Sequence, residues 1–211
     1  MGGRGSGSYT AGGASAGGLL AGGEGEDLNV AGWTAQAGHR EVNKDVTIKG
    51  VEDRIRNLDH EQLAIIGPDG YVLAAVDGGE HSVSLTANSM KYVKGNDVFH
   101  NHPNGGTFSP ADIMTTGNTG AKSISAVSKR FNKTYTLTAG SKANGKGLAN
   151  AMRKAEKKLE NEWQSKLDSM VGKKYKDKAS YERQAYQHWN NIMGGWLNTN
   201  ASKYGYTYTS N

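Results

Sequence analysis

Two histidines separated by one residue, followed by a polar loop and an acid, form the most chemically suggestive motif in the 211-residue chain. His100 and His102 end a short apolar run, a loop of Pro, Asn and Gly follows, and Asp112 comes three residues after Ser109. Residues i and i+2 of a β-strand project from the same face, so the two imidazoles are expected side by side. Imidazole and carboxylate groups are common zinc ligands, and a catalytic zinc typically keeps three protein ligands and one open position. The spacing therefore predicts a metal site formed by His100, His102 and Asp112.

A hydrolytic metal site also needs a base that accepts the proton of the attacking water. Glu61 is the main candidate, because it stands directly before the apolar run 62–66. Glu52 and Glu80 are lesser candidates, since one falls on the exposed side of a predicted helix and the other in a predicted turn. Taken alone, Glu61 would by default be interpreted as a surface carboxylate at the end of a strand.

Ser109, Pro110 and Asp112 also have the pattern of a helix start. Serine is a favoured N-cap, proline is favoured at the first helical position, and an acid three residues after the cap completes a capping box. The pattern predicts a short helix that ends by Gly117 or Gly120. Capping by itself explains Ser109 and Asp112, but a capping residue can still present its carboxylate to a metal, and both interpretations stay open.

The elements that must position these residues are those of an α/β fold. Period-2 apolar runs around a Pro-Asp-Gly turn predict a hairpin, and two long amphipathic stripes predict helices in the last third of the chain. The predicted helices are 51–58, 87–93, 148–171 and 181–197, and the predicted strands are 46–48, 62–66, 71–76, 81–85, 97–102, 122–128 and 134–139.

Composition divides the chain into three parts. Residues 1–27 are mostly Gly, Ser and Ala, which predicts a flexible tail or an arm that binds a partner. Residues 28–140 hold the predicted metal-site domain, and residues 148–200 form a helical extension whose aromatic stripe is more typical of a core than of a ligand site. The segment between its two helices is basic and includes Lys173, Lys174 and Lys176. These lysines are expected to lie in a solvated loop or to make a weak contact with nucleic acid.

The totals exclude several classes of protein. The chain has no cysteine, which excludes disulfide frameworks, Cys-ligated zinc and zinc deaminases. The formal charge of +5 permits contact with nucleic acid without requiring it. No secretory signal or transmembrane span is apparent, so we expect a cytoplasmic protein, with virion association or leaderless export as alternatives.

The polar residues singled out above occur in an order that resembles the JAB/MPN (JAMM) metallopeptidase pattern: Glu61, His100, His102, Ser109 and Asp112. The string His-Asn-His-Pro-Asn-Gly is especially similar to RadC-like members and to JAB-like domains of phage head and bacterial toxin proteins. The resemblance covers roughly residues 51–139, and the interval from His102 to Asp112 is one residue shorter than in the peptidases.

The resemblance implies a twisted mixed sheet flanked by helices and one catalytic zinc. It implies that His100, His102 and Asp112 bind the metal, that Glu61 deprotonates the metal-bound water and that Ser109 stabilises the tetrahedral oxyanion. The implied reaction is hydrolysis of a peptide or isopeptide bond in a protein substrate, often one that joins a ubiquitin-like tail to lysine. The alternatives are a non-catalytic binding module on the same fold, and a virion-associated or effector protein tethered by its Gly-rich head.

Overall fold

The computed structural model describes residues 19–21, 25–30 and 44–211, and within them the main sheet has seven strands. Its order is β2-β4-β3-β6-β7-β8-β9, and β1 pairs separately, in parallel, with β5. In the large sheet β6 and β7 are parallel, and the other neighbouring strands are antiparallel. The strands are β1 Leu19–Ala21, β2 Glu26–Asp27, β3 Gln62–Ile66, β4 Val72–Asp77, β5 Val83–Leu85, β6 Asp97–His102, β7 Ser123–Ser128, β8 Lys133–Ala139 and β9 Tyr206–Ser210.

Four α-helices accompany these strands in the described part of the chain, which confirms the predicted α/β class. They are α1 Lys44–Arg56, α2 Pro110–Thr119, α3 Gly145–Asp168 and α4 Lys178–Asn200. Two short 3-10 helices, Ser89–Tyr92 and Ala201–Tyr204, complete the elements. None of the helices described is long and apolar enough to cross a membrane.

The sheet is covered on both faces, and the side chains of β3 show this directly. Leu63 and Ile65 belong to the hydrophobic cluster that includes the buried side chains of α3 and α4. Ala64 and Ile66 point to the other face and pack in a second cluster with Ile55 of α1. Because successive strand residues alternate between faces, a strand covered on both sides is expected to be apolar at consecutive positions, as residues 63–66 of β3 are.

Helix α2 begins at the predicted capping box. The Ser109 hydroxyl accepts the Asp112 N–H, and the Asp112 carboxylate accepts the Ser109 N–H. The helix ends at Gly120, whose φ of 73° places it in the left-handed region that favours glycine. Since α2 connects the parallel strands β6 and β7, its first turn follows the loop that leaves the carboxyl end of β6.

Several short segments differ from the sequence-based expectations, including β9, a strand that the sequence did not predict. The predicted strand at 46–48 is wrong, because these residues lie within α1. Burial of Val51 and Ile55 under the sheet favours the helix over the local β propensity. Within the predicted tail 1–27, β1 and β2 pair with other strands. Residues 1–18, 22–24 and 31–43 lie outside the described residues.

The C-terminal helices share one core with the sheet. Trp163 of α3 and Trp189 of α4 meet edge to face with ring centroids 5.5 Å apart, and the Trp163 indole N–H donates to the Ala185 carbonyl at 2.9 Å. Both tryptophans belong to the same cluster as Leu63 and Ile65. The aromatic stripe of residues 148–200 is therefore core.

Candidate metal centre

The two histidines and the acid come together where β6 ends and α2 begins. The His100 and His102 Nε2 atoms are 2.9 Å apart. His100 Nε2 lies 3.5 Å from Asp112 Oδ1, and His102 Nε2 lies 3.9 Å from Asp112 Oδ2. These three residues are buried, and each offers one ligand atom within 4.8 Å of the other two. The shorter interval between His102 and Asp112 therefore leaves the carboxylate within reach.

The separations of these donor atoms fit a small tetrahedral ion. Ligands about 2.05 Å from a tetrahedral zinc lie about 3.3 Å from one another. The observed distances of 2.9, 3.5 and 3.9 Å scatter around that value, so small side-chain rotations would bring the three atoms to a common centre. Two imidazoles and one carboxylate also match the ligand types of catalytic zinc sites. The three residues could therefore hold such a metal ion.

Asp112 is ionised despite complete burial. Burial alone would raise its pKa, but His100, His102 and the Ser109 N–H stabilise the anion and hold the pKa at about 2. Oδ2 accepts the Ser109 N–H at 2.6 Å, while Oδ1 faces His100. The carboxylate thus caps the helix and faces the histidines at once, so the two interpretations of its role are compatible.

Glu61 lies directly before β3 with only 2% of its surface exposed. Burial is the main cause that raises the pKa of Glu61 to about 7, and the negative charge of Asp112 adds to this rise. The positive charge of His102 and a hydrogen bond from the Val83 N–H lower the pKa and so oppose the rise. These interactions place the carboxyl within electrostatic range of the metal-ligand cluster. Within the described residues, the buried Glu61 Oε2 has no hydrogen-bond partner, so this oxygen is available to a water or substrate.

Asn101, between the two histidines, connects their strand to the backbone on both sides of Glu61. Its Oδ1 accepts the Gln62 N–H at 2.7 Å, and its Nδ2 donates to the His60 carbonyl at 2.8 Å. Asn101 is fully buried on the opposite face of β6 from the histidines. One amide thereby aligns the Glu61 backbone with the strand of the metal ligands. Sequence reasoning missed this role, because nothing local pairs residue 101 with residues 60 and 62.

Ser109 lies directly before α2, and its side chain caps this helix. Its side chain is buried, and Oγ accepts the Asp112 N–H at 3.1 Å. A hydroxyl that accepts one bond keeps its proton for another acceptor. Ser109 can therefore cap α2 and donate to a further group, as oxyanion stabilisation requires.

The other candidate acids and histidines of the described residues stay outside the cluster. Glu52 pairs with Arg56 at 3.5 Å on α1, and exposed Glu80 lies 3.7 Å from His81. His60 bonds Asp77 at 2.7 Å. His188 is half-buried on α4, and His39 lies outside the described residues.

The lysines named above lie on the loop between α3 and α4. Lys173, Lys174 and Lys176 are all exposed. Contact with nucleic acid through them stays a prediction.

Comparison of the chain with protein-family models, with curated proteins and with solved structures found no match. The function is therefore inferred from the geometry of the site.

Proposed function

We propose that the protein is a zinc-dependent hydrolase that cleaves peptide or isopeptide bonds, as its resemblance to JAB/MPN metallopeptidases implies. The observation that carries the proposal is the convergence of His100, His102 and Asp112 within 4.8 Å, with buried Glu61 electrostatically coupled to them. The same four side chains occur in the order of the family pattern, on an α/β fold with a mixed sheet.

The bound zinc would lower the pKa of a coordinated water towards about 7 and polarise the scissile carbonyl. The chain's own residues would handle the protons and the charge. Glu61, with a pKa of about 7, is suited to accept a proton from water and to return it to the departing amine. Ionised Asp112 supplies the negative charge of the ligand set, and the Ser109 hydroxyl is the candidate donor to the developing oxyanion.

The proposal is tested by combining metal analysis with substrate profiling. We expect zinc-loaded wild type to hold about one zinc per chain and to cleave members of a library of peptides and lysine-linked isopeptides, detected by mass spectrometry. Glu61→Gln should keep the zinc and lose turnover, by at least about 100-fold for a missing base. Glu80→Gln is the matched control, because the exposed Glu80 carboxylate lies beside His81 and is not one of the clustered donors, and it should behave as wild type.

The proposal fails if loaded wild type holds no zinc, or if Glu61→Gln cleaves at the wild-type rate. Cleavage that survives His100→Ala would also contradict it.

A specific observation favours a second candidate, a non-catalytic module in which the metal is structural. His100 and Asp112 are 0% exposed and His102 is 4% exposed, whereas a catalytic centre must admit substrate. In that case zinc would raise the thermal stability of the protein, and no member of the library would be cleaved. Glu61→Gln would alter neither the stabilisation by zinc nor the absence of cleavage. Structural zinc sites are closed and contribute directly to folding.

A further inference from the structure

His102 is oriented by the backbone of the loop that follows it. Its Nδ1 lies 3.1 Å from the Gly106 carbonyl, in a buried setting. A carbonyl only accepts, so this contact requires a proton on Nδ1 and leaves the lone pair of a neutral ring on Nε2. Nε2 is the atom that faces His100 and Asp112. The position of Gly106 thus determines which nitrogen His102 presents to the cluster.

A single side chain of α4 holds the peptide groups on both sides of Gly106. Asn190 Nδ2 donates to the Gly105 carbonyl at 2.8 Å, and its Oδ1 accepts the Thr107 N–H at 3.1 Å. Asn190 is 5% exposed, and more than 80 residues separate it from this loop in sequence. Both ends of the amide are used, so the Gly106 carbonyl between them has little freedom to move.

Helix α4 is a rigid support for this contact. Trp189 and Met193, on either side of Asn190 along the helix, are buried in the core shared with the sheet. Loops rich in Gly and Asn are otherwise among the more mobile parts of a fold. A residue anchored in this way can hold a loop at a fixed distance from a ligand.

We propose that Asn190 is a positioning residue of the metal centre, which makes α4 a functional part of the site. It acts through the Gly105–Thr107 backbone and the Gly106 carbonyl to keep His102 in the tautomer and orientation that bind zinc through Nε2. The inference rests on the proposed zinc site, and it assigns to the helical extension a role beyond core packing.

The test measures zinc affinity and the His102 tautomer in the full chain. We expect Asn190→Ala to weaken zinc binding about 10- to 100-fold, the usual effect of removing a group that orients a metal-binding histidine. Asn190→Asp keeps the volume and the acceptor but loses the donor to Gly105, so it should also weaken binding. Asn191→Ala is the matched control, because exposed Asn191 accepts a side-chain bond from Gln187 and, within the described residues, is not bonded to the loop.

The tautomer is read by ¹⁵N NMR of zinc-free protein, which separates this inference from the proposed function. Wild type should show a protonated Nδ1 on His102, and both Asn190 variants should show a mixture of tautomers. Unchanged zinc affinity and an unchanged tautomer in Asn190→Asp would overturn the inference. If wild type binds no zinc but the tautomer depends on Asn190, the zinc hydrolase proposal and the metal-positioning role fail, and only the control of the His102 tautomer by Asn190 stands.

Trp189→Phe checks that a general loss of stability does not produce the same result. This substitution loosens the packing of α4 but keeps the Asn190 amide, so zinc affinity should stay within about 3-fold of wild type. A loss equal to that of Asn190→Ala would contradict a specific role for the amide.

Discussion

At the scale of single residues, the central feature is a carboxylate with two roles. Asp112 completes the capping box of α2 and also faces both histidines, with its pKa held at about 2. The two roles use different properties. The cap needs an acceptor at the right position, whereas a bound metal would need a negative charge.

Paired substitutions should separate the two roles. Asp112→Asn keeps an acceptor for the Ser109 N–H but loses the charge, so zinc affinity should fall by more than about 100-fold, beyond the usual effect of a residue that only orients a ligand. Ser109→Ala removes the cap and should lower the free energy of unfolding by about 1 kcal/mol with zinc binding retained. Zinc titration and urea unfolding of both variants measure this. Full zinc affinity in Asp112→Asn would show that Asp112 is only a cap.

Glu61 should make the stability of the zinc-free protein depend on pH. Its pKa is about 7 in the folded state against 4.5 for an ordinary glutamate, so the folded state binds this proton more tightly. The contribution of this proton to the free energy of unfolding is therefore complete below pH 4.5 and is lost as the pH rises through 7. Between pH 5 and pH 8 the loss should be about 2–3 kcal/mol.

Comparison with Glu61→Gln isolates this contribution, because glutamine does not titrate and the histidines are common to both proteins. Urea unfolding in the presence of chelator should show a smaller loss of stability with pH in the variant. Parallel pH profiles for the two proteins would contradict the buried, proton-binding carboxyl.

At the scale of elements, α2 is held by a close crossing with α3. A Cβ on Gly117 would clash with the Gly145 Cα. The helix that carries Asp112 therefore approaches α3 backbone to backbone. This contact couples the position of Asp112, the candidate metal ligand, to the packing of the C-terminal helices.

Alanine at Gly117 should destabilise the protein by about 1–3 kcal/mol, because overpacking exceeds the gain in helix propensity. Gly195→Ala in α4 is the matched control, since nothing lies within 4 Å of its added Cβ. That variant should be more stable than wild type by about 0.5–1 kcal/mol. Thermal and urea unfolding measure both, and an equal effect of the two substitutions would contradict the close crossing.

The elements that the sequence predicted are those with strong local signals. The hairpin of β3 and β4, the strand of His100 and the capped α2 all carry period, turn or capping patterns within a few residues. The strand predicted at 46–48 failed because burial of Ile55 under the sheet favours a helix there. Asn101 and Asn190 were not identified, because their partners are distant in sequence and an isolated asparagine has no local pattern.

At the scale of the whole molecule, residues 148–200 share a core with the sheet that carries the candidate metal ligands His100 and His102. Trp189 is 1% exposed and Trp163 is 3% exposed, and both belong to the cluster of Leu63 and Val98. Composition separated this part of the chain from the metal-site domain, but composition cannot show which surfaces the helices cover. Packing of this kind predicts that sheet and helices unfold together.

Trp189→Ala should lower the free energy of unfolding by about 3–5 kcal/mol, as expected for a large cavity in a core. Tryptophan fluorescence and far-UV circular dichroism of wild type should give coincident urea transitions. Two separate transitions would indicate that the C-terminal helices fold independently of the sheet.

The most direct test of the central claim is anomalous diffraction at the zinc absorption edge from zinc-loaded crystals. The structure predicts one strong peak at about 2.0–2.2 Å from His100 Nε2, His102 Nε2 and a carboxylate oxygen of Asp112. Loaded crystals without a peak between these three side chains would contradict it.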